Sequence, residues 1–273
     1  MTNPRAAVIQ MCSTPDVESN LEVAARLARE ATEMGADMVL FPEAFAFIGP
    51  RREKARILEP LPQGGPILEH CQNLARELGR ELVLGGFHER CAHDEAQSRN
   101  TCVHLGADGE IRALYRKIHM FDVDLADGTR LHESSETEAG DRAVVTDSAI
   151  GALGLSVCYD VRYPALYQLL AERGAIAVTV PSAFTMTTGK DHWHVLLRAR
   201  AIECHVYVLA PAQFGNHYGK RVSYGHGLIA DPWGCVVAQC SDGEGVAIAE
   251  IDPERVERVR CELPSLANRR EFT

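Results

Sequence analysis

The sequence predicts an α/β protein built around mixed β-sheets. Roughly a dozen short apolar segments have the length and composition of strands, and about four longer segments carry apolar residues at helical spacing. The two kinds of segment alternate along the chain, which is typical of sheets covered by helices. No Pro/Gly/Ser-rich linker or change in composition divides the chain of 273 residues, so we expect one domain, 1–273, with two similar halves.

The first half begins with a strand, a helix and a second strand. Its first helix has a start signal at Ser19 and Asn20 and a stop signal at Gly35, and its second helix ends before Gly79. An Ala-Asp-Gly turn then predicts a hairpin. The predicted strands are Ala6–Met11, Asp37–Phe41, Glu81–Phe87, Thr101–Leu105 and Ile111–Tyr115, and the predicted helices are Leu21–Met34 and Pro66–Leu78.

The second half repeats this alternation of strands and helices. Its Asp-Pro-Trp-Gly segment predicts a second hairpin. Two segments, Asp122–Asp141 and Thr185–Asp191, are expected to be loops that shape a pocket. The predicted strands are Leu153–Val157, Ile176–Val180, Val206–Ala210, Gly227–Ala230, Cys235–Gln239 and Val246–Ile251, and the predicted helices are Pro164–Arg173, Asp191–Glu203 and a short one from Pro253.

Composition restricts the partners and the compartment. A net charge of −10 and a sequence pI near 5.6 argue against nucleic acid or an acidic membrane surface as the main partner. No apolar segment is long enough to span a membrane, and the amino terminus does not resemble a signal peptide. The nine cysteines are scattered without a Cys-x-x-Cys pair, which favours a reducing, cytoplasmic location.

Neither a metal nor a cofactor is expected. The eleven histidines form no cluster with cysteines or carboxylates, and His192 and His194, two residues apart on a helix, point to different faces. The glycine-rich segment 151–156 lacks the lysine of a phosphate loop, so a nucleotide site is not expected. Glu203 is expected to stabilise its helix through ion pairs.

Three residues with reactive side chains share a local context. Glu43, Lys117 and Cys158 each stand just past the carboxyl end of an apolar strand, the sheet edge where ligands gather in α/β proteins. One such residue is often only a solvated strand end, but an acid, a base and a thiol placed alike indicate a site. We expect Cys158 to be exposed before a helix, with its thiol pKa lowered by the helix amino terminus.

This trio suits covalent hydrolysis. A thiolate attacks a carbonyl or nitrile carbon, a carboxylate takes and returns the proton, and a lysine cation stabilises the oxyanion. The segments Phe-Pro-Glu-Ala-Phe (41–45), Tyr-Arg-Lys-Ile-His-Met-Phe-Asp-Val-Asp (115–124) and Gly-Leu-Ser-Val-Cys-Tyr-Asp-Val-Arg-Tyr-Pro (154–164) resemble, in order, the three signature blocks of the nitrilase superfamily. The resemblance covers essentially the whole chain and implies a four-layer αββα sandwich of two mixed six-stranded sheets.

The resemblance also implies roles for individual residues. Glu43 would be the general base, Lys117 the oxyanion-side cation and Cys158 the nucleophile, with an N–H from Tyr159. Glu133 matches a second glutamate that positions substrate and lysine, although it could also be a solvent-facing loop acid.

Within the superfamily, segments 181–194 and 198–203 resemble the Nit amidases. Segment 215–226 resembles the branch acting on deaminated glutathione more than the ω-amidase branch, which acts on α-ketoglutaramate. Arg162 suits the carboxylate of an α-keto acid amide, or else pairs with Asp160 or another acid, and Phe184 and Thr188 would line the same pocket.

The expected partner is thus a small-molecule amide. An N-carbamoyl amidohydrolase, a thiol redox sensor and a non-catalytic binding scaffold remain alternatives. The resemblance also implies a homodimer, or a higher oligomer, formed through helices of the second half.

Overall fold

The computed structural model describes residues 2–92, 94, 97–124 and 130–270. In these ranges the helices are α1 (Val17–Glu33), α2 (Arg51–Lys54), α3 (Pro66–Leu78), α4 (Pro164–Glu172), α5 (Met186–Cys204) and α6 (Pro253–Glu262). The strands are β1 (Arg5–Met11), β2 (Met38–Leu40), β3 (Glu81–Arg90), β4 (Ser98–Leu105), β5 (Ile111–Arg116), β6 (Asp122–Asp124), β7 (Arg130–His132), β8 (Val144–Ser148), β9 (Gly151–Leu155), β10 (Ala177–Thr179), β11 (Tyr207–Ala210), β12 (Ala212–Tyr218), β13 (Arg221–Tyr224), β14 (Leu228–Ala230), β15 (Val236–Gln239) and β16 (Gly245–Glu250).

Two sheets form the centre of the protein. The first has the strand order β13-β12-β1-β2-β3-β4-β5, with β16 also pairing with β1. The second has the order β15-β14-β11-β10-β9-β8, and a separate small pair joins β6 to β7. Both sheets contain parallel and antiparallel pairs, as predicted.

The alternation of side chains along β1 shows how the layers stack. Ala6 and Val8 belong to the apolar core that includes the second sheet, whereas Ala7 and Ile9 belong to the core formed with α1 and α3. Because successive residues of a strand point to opposite faces, the first sheet lies between its helices and the second sheet. The second sheet in turn packs against α4 and α5 through residues such as Leu170 and Leu197, which gives the predicted αββα order.

The first sheet has eight strands rather than the predicted six. The additional strands are β12 and β13, which form a hairpin in a segment where the sequence predicts no strand. After β11 of the second sheet the chain crosses to the first sheet, where Gln10 of β1 pairs in parallel with Ala212 of β12. This pairing joins residues about two hundred positions apart, so no local sequence pattern could predict it.

Both predicted pocket loops contain regular structure. Helix α5 begins at Met186 rather than Asp191, because the Thr185 side chain accepts a hydrogen bond from the Thr188 N–H at the helix start. The predicted loop 122–141 holds the β6–β7 pair and a 3₁₀ turn, Glu133–Ser135, while its residues 125–129 lie outside the described part of the chain. None of the helices described here has the length and apolarity needed to cross a membrane.

Candidate active site

The predicted trio comes together between the two sheets. Glu43 and Lys117 follow strands β2 and β5 of the first sheet, and Cys158 follows β9 of the second. Nζ of Lys117 lies 3.2 Å from Oε1 of Glu43, and the Cys158 thiol is hydrogen-bonded to the same carboxylate. The carboxyl ends of strands from both sheets therefore supply one constellation.

The backbone around the thiol is fixed in a strained conformation. Cys158 has a φ of 47°, in the left-handed region that side chains other than glycine rarely adopt, and it opens a 3₁₀ turn, Cys158–Arg162. Its N–H donates to the Pro181 carbonyl at 2.9 Å, and the buried carboxylate of Asp160 accepts the Val157 N–H at 2.9 Å. Strain of this kind persists where surrounding contacts determine the conformation, and it is common at active sites.

A bulge in β3 makes room for Glu43. The register between β3 and β4 shifts between Leu84 and Phe87, and Gly86 there has a φ of +61°. A Cβ on Gly86 would lie 2.7 Å from Cγ of Glu43, so only glycine fits. From the other side, the Ala183 N–H donates to Oε2 of Glu43 at 2.9 Å.

Glu133 lies inside the site rather than facing solvent. Its Oε2 is 2.7 Å from Nζ of Lys117 and accepts the Phe121 N–H at 2.8 Å, and 17% of its side chain is exposed. The solvent-facing alternative is therefore wrong. Lys117 is held by two carboxylates, one from Glu43 and one from Glu133.

Sequence reasoning missed Asn100, which links the two carboxylates. Its Nδ2 donates to Oε1 of Glu43 at 2.9 Å and to Oε1 of Glu133 at 3.1 Å. Its carbonyl accepts the Lys117 N–H at 2.9 Å. A signal was present: Asn100 directly precedes the predicted strand Thr101–Leu105, and the start of a strand antiparallel to its neighbours lies at the edge where they end.

The electrostatics of the trio differ from our prediction. Cys158 is 8% exposed, and burial together with the Glu43 carboxylate raises the pKa of its thiol well above the ordinary value, against the opposing effect of Lys117. The prediction of an exposed thiol with a lowered pKa is therefore wrong, because a local helix argument omits burial and the neighbouring carboxylate.

The other two groups are charged at rest. Burial raises the pKa of Glu43, but the Lys117 cation and three hydrogen bonds outweigh it, so the net shift is downward. Burial lowers the pKa of Lys117, but Glu133 and Glu43 raise it further, to well above its usual range. The resting site thus pairs a neutral thiol with an ionised base.

An oxyanion donor is available beside the thiol. Within the described residues, the backbone N–H of Tyr159 donates to no backbone carbonyl. This N–H follows the thiol-bearing residue directly, which is the usual position of such a donor. Together with the Lys117 cation it could stabilise negative charge developing on a carbonyl oxygen.

The site opens into a cavity of about 610 Å³. Tyr159, Arg162, Phe184 and Thr188 line it, as do the catalytic candidates. The Arg162 guanidinium lies 5.6 Å from the ring centre of Tyr159 and 5.4 Å from that of Phe184. Stacking against aromatic rings orients a guanidinium while its N–H groups stay available.

The alternative pairing of Arg162 with Asp160 is wrong. Asp160 accepts hydrogen bonds from Tyr115 and from the His119 backbone, and its Oδ1 lies 2.7 Å from Nδ1 of His119. Arg162 instead has both terminal nitrogens 3.3 Å from Nδ1 of His192 and forms no ion pair among the described residues.

The remaining polar residues singled out in the sequence lie elsewhere. His194 Nε2 lies 2.9 Å from Oε1 of Gln239, and Glu203 pairs with Arg200 one turn away on α5. Over the ranges described, no three His, Cys, Asp or Glu side chains are grouped as metal ligands.

Comparisons with known proteins agree with this geometry. A family profile described as carbon-nitrogen hydrolase matches residues 5–261. A human protein named deaminated glutathione amidase is 46% identical over 274 residues, which cover 98% of this chain and 82% of that protein. A protein of the same name from Synechocystis is 42% identical, with 97% of each chain covered.

Solved structures give the same result. The nitrilase and fragile histidine triad fusion protein NitFhit from Caenorhabditis elegans superposes with a TM-score of 0.92 at 42% identity, over 99% of this chain and 66% of that one. Nit3 from Saccharomyces cerevisiae, described as a member of branch 10 of the nitrilase superfamily, gives a TM-score of 0.87 at 30% identity, over 99% and 97% of the two chains. The predicted nitrilase-type sandwich is confirmed.

Proposed function

The chain belongs to the carbon-nitrogen hydrolase family of the nitrilase superfamily and is a hydrolase of carbon–nitrogen bonds, and we propose that it cleaves the amide of an α-keto acid through a thioester on Cys158. The observation that carries this proposal is the meeting of the Cys158 thiol, the Glu43 carboxylate and the Lys117 cation at the end of one cavity. The relatives named deaminated glutathione amidase support that compound as the substrate.

Acylation follows from the resting charges. The ionised Glu43 takes the proton of the Cys158 thiol as sulfur attacks the amide carbon, so no free thiolate has to exist beforehand. Negative charge then develops on the carbonyl oxygen, where Lys117 and the Tyr159 N–H stabilise it. Glu43 passes its proton to the nitrogen, the carbon–nitrogen bond breaks, and the amine leaves.

Deacylation uses the same base. Glu43 takes a proton from a water molecule, the resulting hydroxide attacks the thioester carbon, and the carbon–sulfur bond breaks. The proton returns to sulfur, which restores the thiol and releases the acid. Glu133 acts on both steps by holding Lys117 in place, and Asn100 links the two carboxylates by donating to both.

Arg162 selects the amide bond that is cut. Deaminated glutathione is an α-keto acid linked through an amide to cysteinylglycine, so it has a carboxylate at each end. A carboxylate bound at Arg162, four residues after Cys158, places the keto acid next to the thiol. The bond beside the keto acid is then cleaved, and cysteinylglycine leaves. Phe184 and Thr188 line the cavity around this acyl group.

The test compares kcat/KM for deaminated glutathione, α-ketoglutaramate and an N-carbamoyl amino acid. The proposal predicts the highest value for deaminated glutathione and no turnover by Cys158→Ala. A higher value for α-ketoglutaramate would identify an ω-amidase, and a higher value for the carbamoyl compound a carbamoyl amidohydrolase. If the protein hydrolyses none of the three compounds, the proposed reaction is refuted.

We also infer a homodimer in a reducing, cytoplasmic setting. Helix α5 presents Val195 and Ile202 to solvent, 66% and 43% exposed, and an exposed apolar helix face favours association with a second copy. All nine cysteines are free thiols, which supports a reducing compartment. Light scattering should give twice 30.0 kDa, and Val195→Glu should shift it toward the monomer.

A further inference from the structure

Three cations on the cavity wall have no partner among the residues that the structure describes. Lys54, Lys220 and Arg221 line the active-site cavity, yet within the described residues none of their side chains forms a hydrogen bond or an ion pair. Lys117, by contrast, is bound by two carboxylates. A protein that leaves several cations unpaired around one cavity provides charge for an anion that arrives from solution.

The carboxylates nearest Lys54 already have partners. Lys54 is half-buried at the end of α2, and Glu136 and Glu133 are the acids that act on it. Glu136 forms an ion pair with Arg51, with 2.6 Å between Oε1 and Nε, and Glu133 forms one with Lys117. Lys54 is therefore attracted to Glu136 and Glu133 but forms no direct ion pair with either of them.

The pKa of His88, which also lines the cavity, responds to the charges of Lys54 and Arg221. Burial and then the charges of Lys54 and Arg221 lower the pKa of His88 to about 3, so His88 is neutral and adds no counter-charge. Lys54 and Arg221 line the same cavity, and the charge of Arg221 is one of the causes that lower the pKa of Lys54. Arg162 belongs to a different group of contacts, with the rings of Tyr159 and Phe184 and with His192.

We propose that Lys54 and Arg221 form a second anion subsite, which binds the carboxylate at the far end of the leaving amine. The inference rests on the proposed function, in which Arg162 binds the carboxylate of the acyl part. It makes the enzyme selective for amides whose leaving group is an amino acid or dipeptide with a free carboxylate. An amide that releases ammonia, such as α-ketoglutaramate, has no group for this subsite.

Selectivity is tested first by kinetics. The ratio of kcat/KM for deaminated glutathione to that for its C-terminal carboxamide is measured in the wild type, in Lys54→Met and in Arg221→Gln. We expect the ratio to fall roughly 10- to 100-fold in each variant, the range for losing one charge-assisted hydrogen bond. The fall should come from a higher KM for deaminated glutathione rather than from a lower kcat. Arg52→Gln is the matched control, because Arg52 lies on the same helix, is 86% exposed and does not line the cavity. Its ratio should equal that of the wild type.

A binding measurement separates this inference from the proposed reaction. Cys158→Ala protein is titrated calorimetrically with deaminated glutathione and with its carboxamide. We expect the free acid to bind at least about tenfold more tightly, and Lys54→Met in the same background to remove that difference. Equal binding of the two compounds would overturn the subsite even if the wild type hydrolysed both. Absence of turnover with a preserved binding difference would overturn the proposed reaction and keep the subsite.

Discussion

Oε2 of Glu133 lies 2.7 Å from Nζ of Lys117, and this contact connects a loop carboxylate to the reacting groups. The same carboxylate accepts the Phe121 N–H, so its position is set by backbone as well as by charge. The position of the Lys117 ammonium group is therefore fixed by two ion pairs, one with Glu43 and one with Glu133. A cation fixed before the substrate arrives needs little reorganisation when an oxyanion forms.

Glu133→Gln should lower kcat by roughly 100-fold, the effect of weakening one oxyanion donor. The amide keeps the shape of the side chain but not the charge that orients Lys117, so KM should change less than kcat. Steady-state kinetics with deaminated glutathione measure the effect. Glu53→Gln, a surface acid paired with Arg56, is the control and should behave as the wild type. An unchanged kcat in Glu133→Gln would remove Glu133 from the mechanism.

Asn100→Asp should be more damaging than Asn100→Ala. The aspartate would place a third carboxylate against Glu43 and Glu133, where the Nδ2 amide group of Asn100 now donates to both. Like charges at this distance raise the pKa of at least one of them, so the acid limb of kcat/KM should move to higher pH. In Asn100→Ala the limb should stay nearer the wild-type position. Identical profiles for the two variants would show that Asn100 does not act through charge.

Gly86→Ala should reduce both stability and kcat. Its Cβ would lie 2.7 Å from Cγ of Glu43 and 2.8 Å from the Ala44 nitrogen, so the base must shift. Gly79→Ala is a matched control, since Gly79 has nearly the same φ, +60°, with nothing within 4 Å of the added Cβ. Thermal unfolding should show a backbone cost of about 1 kcal/mol in both variants, whereas only Gly86→Ala should lose activity.

The pH profile tests the resting charges. The pKa of Glu43 is below its ordinary value of 4.5 and that of Cys158 is above its ordinary value of 9.0, so the active pair persists between these limits. We expect kcat/KM to be flat across this interval and to fall with acid as Glu43 is protonated. Because the pKa of Glu43 is lowered on folding, its contribution to stability is present above its unfolded pKa and lost as pH falls through the folded value. A fall in kcat/KM at neutral pH would contradict these assignments.

The residues of the proposed catalytic trio could be predicted because each follows its own strand. Glu43, Lys117 and Cys158 stand at strand ends that local apolar patterns identify, whereas the layering of the sheets was implied by the resemblance to the nitrilase superfamily. Asn100 could not be found in this way, since its contacts lie 57 and 33 residues away and depend on the register of β4. The thiol pKa was mispredicted for a related reason. Burial and the Glu43 charge come from tertiary packing, and they outweigh the helix terminus.

The eight-stranded first sheet has the same kind of cause. Its additional hairpin depends on the parallel pairing of β12 with β1, which joins residues about two hundred positions apart in the sequence. The same hairpin carries Arg221 to the cavity wall. Arg221, which we propose contributes to substrate selectivity, is thus positioned by a hairpin that the sequence did not predict.

The most direct test of the covalent mechanism is rapid-quench mass spectrometry of the protein mixed with deaminated glutathione. The account predicts that the wild-type protein gains the mass of the keto acid acyl group within the first turnover. Peptide digestion should place that mass on Cys158, and cysteinylglycine should be released at the same rate. Cys158→Ala should gain no mass and release no cysteinylglycine. Product release without any acyl adduct, or an adduct on a different cysteine, would contradict it.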